Sequence, residues 1–252
     1  MARGKSAAFG TAVTAVSFPH QLRAIGVTFV AVLVIAAVAQ GQPAAASPAS
    51  ARGFFQTLVG EWIGVCEQST DGEQAPDKYF HLSVSRVDDK TFASSFDYYR
   101  LNGATGAPQH IGSSTATTSI GPDGAAKTRI VGKGVVSVNE RDKPQRHDLT
   151  EVLTPAGSGQ WQGRGSGTIS VGGMPFGLGK NGKILDVQDS WSLSNGVLSI
   201  SQVLKVGFRA IIFTKRFSVA ANYTARRGSD LASLMAKTAR APARPGRTAP
   251  RG

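Results

Sequence analysis

The chain has 252 residues, a formal net charge of +12 and one cysteine, enough length for one domain with a sizeable core and no internal disulfide. The charge is unevenly placed: residues 1–51 carry +3, residues 228–252 carry +4, and residues 52–227 carry +5 (20 basic against 15 acidic). The excess therefore sits mainly at the ends, no Lys/Arg face with interleaved aromatics is evident, and nucleic acid is excluded as the expected partner.

Residues 1–46 read as a secretory signal. Arg3, Lys5 and Arg23 form a basic region without acids, Ala24 to Ala39 is a continuous apolar or neutral run, and Gln42-Pro43-Ala44-Ala45-Ala46 is a small-residue tail. Ala44 and Ala46 satisfy the small-x-small rule for cleavage before Ser47. An uncleaved anchor is the competing reading, although the run is shorter than the roughly 20 apolar residues of a spanning helix. The expected location is exported: periplasmic, secreted or anchored at the outer face. Residues 47–53 are expected as a linker, and Arg52 to Leu58 (RGFFQTL) as a short turn or helical plug before the first strand.

From Leu58 onward the pattern has period two. Phe80, Leu82 and Val84 alternate with Tyr79, His81 and Ser83, and Phe92, Ser94, Phe96 and Tyr98 alternate with Ala93, Ser95, Asp97 and Tyr99. Further strands are expected at 111–120, 127–136, 147–153, 160–170, 184–193, 197–206 and 209–219, most of them rich in β-branched and aromatic residues. Val87-Asp88-Asp89-Lys90 and Gly121-Pro122-Asp123-Gly124 are tight-turn sequences. Asn181-Gly182 and Asn195-Gly196 predict type I′ hairpins.

About ten strands joined this way make an all-β, antiparallel up-and-down barrel over residues 54–227, a two-sheet sandwich being the other closure. The glycines between Gly157 and Gly182 mark a strongly bent strand, then a mobile loop in which Met174, Phe176 and Leu178 cover the barrel mouth. Residues 228–252, rich in Ala, Pro and Arg, are expected to be a disordered basic tail with at most one helical turn at 231–235, and a weak attraction for anionic membrane or envelope polymer.

Leu58-Val59-Gly60-Glu61-Trp62-Ile63-Gly64 opens the first strand. This Gly-x-Trp run, after a plug and before a β-only meander, resembles the first strand of calycin barrels, the superfamily of lipocalins, fatty-acid-binding proteins and bacterial lipocalin-like and nitrobindin-like domains. The resemblance implies a tryptophan at the closed end, packed against a cation from the end of the last strand, with Lys215, Arg216, Arg226 and Arg227 as candidates. It also implies a small, largely apolar ligand inside the barrel. Trp62, Phe80, Phe92, Phe96, Tyr98, Trp161, Trp191 and Phe213 are the candidate inward aromatics that would line such a site, with Tyr98, His81 or Arg100 adding specificity. The alternative is a structural or interaction protein of the envelope that acts through its exterior and basic tail, with no ligand cavity.

Catalytic and metal chemistry lack a motif. Ser166 in Gly165-Ser166-Gly167 has no strand–elbow–helix context. Asp186 and Asp189, three apart, face opposite sides of a strand. His147 and Glu151, four apart, share a face and are expected as a surface ion pair. No histidine, cysteine or carboxylate cluster has zinc-ligand spacing. Nitrobindin-like domains hold haem through a histidine, but His81, His110 and His147 match no such motif, so no cofactor is expected. Cys66 reads as a buried filler.

Overall fold

The computed structural model describes residues 48–103, 105–138, 141–157, 159–173, 180–209 and 213–240. The expected signal, the cleavage point and the mouth-covering residues 174–179 lie outside them.

Helix α1 (Pro48–Leu58) comes first, and includes most of the segment expected as a linker. Pro48 suits the opening turn of a helix, where its missing N–H costs nothing. Ala51, Phe54, Phe55 and Leu58 repeat at helical spacing and are all buried. They close one end of the barrel, here called the lower end.

Eleven strands follow: β1 (Gly60–Thr70), β2 (Glu73–Gln74), β3 (Lys78–Arg86), β4 (Thr91–Leu101), β5 (Pro108–Ile120), β6 (Ala126–Val138), β7 (Arg141–Gly157), β8 (Gln160–Val171), β9 (Asn181–Ser194), β10 (Val197–Arg209) and β11 (Thr214–Arg227). Each pairs antiparallel with its neighbour, apart from the two-residue β2, which hangs on the end of β1. β11 pairs with β1 from Trp62↔Arg227 to Thr70↔Val219. That ladder closes ten strands into a barrel and rules out the sandwich, because closure removes both sheet edges.

Alternation sets the walls. In β1 the inward positions are Trp62, Gly64, Cys66, Gln68 and Thr70; in β10 they are Leu198, Ile200, Gln202, Leu204, Val206 and Phe208. Two expected turns form as read. Gly121 N–H donates to Ala125 O at 2.8 Å, and Asn195 and Gly196 have φ of 51° and 72°, as a type I′ hairpin requires.

Asn181-Gly182 is a correction. Both residues belong to the β8–β9 ladder, opposite Ser170 and Ile169. The glycine serves packing instead of a turn: a Cβ on Gly182 would sit 2.8 Å from the Phe208 ring. The strand expected over 209–219 is a second correction, since β10 ends at Arg209 and β11 begins at Thr214. The apolar character of that stretch hides a chain reversal.

The tail also departs from expectation. Leu231–Arg240 is a helix, α2, packed on β1 and β3. Asp230 caps it by accepting the Ser233 N–H at 3.0 Å, and Met235 is buried. A cap and one apolar stripe are enough once a barrel wall is there to receive them.

Candidate functional site

The lower end is built around Trp62. Its Nε1–H donates to Leu58 O at 2.7 Å, and the Arg227 guanidinium lies over the indole, 4.6 Å from the ring centroid. Arg227 also donates to Val59 O at 2.7 Å and to Thr57 O, tying the last strand to the plug. Among the four candidate cations, the register selects Arg227 because it stands directly opposite Trp62. Gly60, at φ 122°, leaves the space: a Cβ there would meet Arg227 Nη1 at 2.6 Å.

Seven of the eight candidate aromatics point inward and are buried: Trp62, Phe80, Phe92, Phe96, Tyr98, Trp161 and Trp191. Phe92, Trp161 and Trp191 form a ring cluster with the plug, and Phe80, Phe96 and Tyr98 form a second one with Tyr223. Phe54 and Phe55 lie 5.5 and 6.2 Å from Trp161, Phe55 lies 5.7 Å from Phe92, and Phe96 stacks on Tyr98 at 6.0 Å. Phe213 is the exception. It sits just before β11 and is 50% exposed, because the reversal between β10 and β11 puts it outside the ladder. Of the three groups considered for specificity, Tyr98 faces inward. His81 pairs with Glu61 and Arg100 with Asp142 on the outer face.

Between these rings, the described interior leaves a void of about 20 Å³ beside Phe92, Thr118, Thr128, Glu151 and Trp191. That is room for about one water molecule. The aromatics therefore fill this part of the barrel instead of lining an open chamber.

The interior is nevertheless polar on one side. His147 and Glu151, expected as a surface pair, are buried and face inward in phase with Leu149 and Leu153. Asp189 on β9 is buried as well, and its Oδ2 accepts the Trp191 Nε1–H at 3.2 Å. Gly163 on β8 lies directly opposite Asp189, and Gly165 directly opposite Glu151. A Cβ on Gly163 would lie 2.5 Å from the Asp189 carboxyl carbon, and one on Gly165 would lie 2.9 Å from Glu151 Cβ.

The glycines of β8 thus let two acids from flanking strands lean across it. Burial pushes the Glu151 carboxyl up to about 8. Burial, reinforced by the neighbouring Glu151 charge, raises Asp189 well above the carboxylate range. Burial lowers His147 to about 4 and the interior Lys78 to about 8, and raises the Cys66 thiol to about 11, which leaves it an unreactive filler. Glu151 and Asp189 share a hydrogen bond, as do Tyr98 and Tyr223, whereas the side-chain amides of Gln145 and Gln202 and Nδ1 of His147 have no hydrogen-bond partner among the described residues.

A concavity of about 1140 Å³ lies against the outer wall from β5 to β11. Its exposed side chains, among them Lys133, Arg146, Lys183, Leu185 and Arg216, occupy outward positions that alternate with buried inward ones. Sequence reasoning missed this groove because its cations are spread over strands far apart in the chain.

No family model matches the chain, and no curated protein matches it. Among solved structures it is similar to Rv2717c from M. tuberculosis, with 12% identity over 70% of this chain and 98% of that one, at a TM-score of 0.41. It is also similar to a protein of unknown function from the DUF3598 family of Nostoc punctiforme PCC 73102. There the identity is 10% over 71% of this chain and 99% of that one, at a TM-score of 0.18.

Proposed function

We propose that this chain is an exported, calycin-like barrel that works as an interaction module through its outer face. Residues 1–46, with their basic region, apolar run and small-residue tail, support export. The Trp62–Arg227 packing at the plugged end supports the calycin relation.

The observation that carries the functional reading is a contrast in space. The void among the rings beside the plug holds about 20 Å³, whereas the outer wall holds a groove of about 1140 Å³. Co-sedimentation of the full chain with the envelope fraction of its own cells tests this. A Thr168→Trp substitution, which blocks the groove floor without changing charge, should abolish association, and Trp191→Phe in the interior should leave it intact. Undiminished association of the blocked variant overturns the reading.

A second reading, a small ligand inside the barrel, is favoured by the unpartnered polar atoms of Gln145, His147 and Gln202. Each such atom costs about 1–3 kcal/mol, so a ligand that supplied partners would bind with that penalty relieved. The occupant would then be amphipathic instead of purely apolar, and the rings would have to move apart to admit it. Organic extraction of the purified full chain followed by mass spectrometry decides it: a stoichiometric small molecule, lost in Gln145→Leu, establishes this reading over the first.

A further inference from the structure

Two rows of outward residues cross the groove. In one, Ser113, Lys133, Arg146, Ser170 and Asn181 stand directly opposite one another from β5 to β9. In the next, Thr168, Lys183, Gly207 and Arg216 do the same from β8 to β11. Arg209 and Thr214 form a pair one step further along β10 and β11.

Lys133 thus faces Arg146 across a ladder, where like charges repel and destabilise the sheet. Neither has an ion-pair partner among the described residues, and the same is true of Lys183, Arg209 and Arg216. Some outer cations are paired: Arg100 with Asp142, Arg129 with Asp148 and Lys205 with Asp186. Asp148 lies in the groove but is held by Arg129 at 2.8 Å. The register therefore brings together five cations that have no ion pair among the described residues.

Gly207 gives this cluster a shape. It separates Lys183 from Arg216 with no side chain, and a Cβ added there would sit 3.3 Å from Leu185 and 3.4 Å from the Thr214 methyl. Adjacent strands are about 4.8 Å apart, so the two cations start about 10 Å apart. That span lets a lysine and an arginine converge on one tetrahedral oxyanion, with Arg216 able to bind two of its oxygens. Thr168 and Thr214 border this point, and Lys133 with Arg146 form a second cationic point on β6 and β7.

Two such points in one elongated groove suit a chain, not a single ion. The described lining holds no Phe, Tyr or Trp for stacking nucleobases, and a concave wall cannot be laid flat on a bilayer. Resting on the outer-face reading above, we propose that the groove binds an extended polyanion of phosphate or sulfate groups, one oxyanion held between Lys183 and Arg216, and another at Lys133 and Arg146.

The test is binding of the full chain to fluorescent inorganic polyphosphate, followed by anisotropy across a salt series. Sulfated glycan, oligo-dT and anionic-lipid vesicles serve as competitors. Lys183→Gln with Arg216→Gln, and separately Lys133→Gln with Arg146→Gln, should each weaken binding at least tenfold and flatten the salt dependence. Replacing Arg240, Arg244, Arg247 and Arg251 by Gln should change affinity less than twofold. Competition by the sulfated glycan as strong as self-competition assigns the physiological chain to sulfate, and its failure assigns it to phosphate.

The inference is overturned if the tail variant loses as much as the groove variants, if the groove variants bind like the parent, or if oligo-dT or vesicles compete best. If Thr168→Trp abolishes envelope association while the glutamine variants retain it, the outer-face reading stands and the polyanion falls.

Discussion

On the β1–β4 side of the barrel, the inward positions belong to Trp62, Phe80, Phe92, Phe96 and Tyr98, and the chain outside them is acidic: residues 60–101 hold eight acids against four bases. On the β6–β9 side, the inward positions include Thr128, His147, Glu151, Gly163 and Asp189, and residues 126–194 hold nine bases against six acids. The aromatic wall closes the core by volume, ring against ring. The other wall closes it by thinness, glycines letting carboxyls occupy the space that large apolar groups would otherwise fill. One barrel thus has a half filled mainly by rings, with Lys78 buried at its edge, and a half that spends stability on buried carboxyls.

The comparison breaks most sharply at Gly163. Replacing it with Leu drives a side chain into the Asp189 carboxyl, and a loss of about 4 kcal/mol or more, or failure to fold, is expected in chemical denaturation. A near-neutral result would mean the acids have room and the thin wall is not thin. Phe96→Ala tests the other wall. It should cost about 3–5 kcal/mol by the same measurement, and less than about 2 would mean the aromatic half is loosely packed.

The pH dependence of stability separates the halves next. Glu151 keeps its proton in the folded chain up to about 8 but loses it near 4.5 when unfolded. Stability should therefore fall as pH rises from 4.5 through 8, by on the order of 4 kcal/mol. Glu151→Gln should flatten that limb. His147 has the opposite sign: it stays neutral in the fold down to about 4, so its contribution is full above 6.5 and lost as pH falls through 4. A pH-independent parent between 6.5 and 8 would show that Glu151 is not held protonated.

Arg227→Leu removes the cation over Trp62 and two donors to the plug. A loss of about 1–2 kcal/mol is expected, with a shift in tryptophan fluorescence that Arg226→Leu does not reproduce. The smallest effect has the other direction. Lys133→Gln should stabilise the fold by a few tenths of a kcal/mol at low salt, because it relieves the repulsion with Arg146, and the gain should vanish at high salt.

These differences explain what could be read in advance. Period-two alternation made the strands legible, since a closed barrel hides one face of every strand, and Gly-x-Trp placed the plugged end. Seven of the eight aromatics faced inward for the same reason. Glu151 was misplaced because a lone acid on a strand usually faces water, yet the signal was there: it falls in phase with Leu149 and Leu153, as Asp189 does with Val187 and Trp191. The groove had no comparable signal. Lys133 and Arg216 meet only through the register of six strands, and register is a property of the assembled sheet. Asn181-Gly182 misled because glycine serves close packing as readily as a turn.

The ladder between β1 and β11 has a consequence in time. Arg227 and its acceptor Val59 are 168 residues apart, so the strand that starts the wall waits for the strand that ends it. A chain emerging from its N-terminus first would carry β1 with one open edge until nearly the whole sequence is available, and such non-local closure is slow. An open edge is also where strands of other chains attach. The tryptophan at the closed end then acts as a completion mark: its fluorescence reaches the native value only when the barrel has shut, giving a single optical readout of the last step of folding.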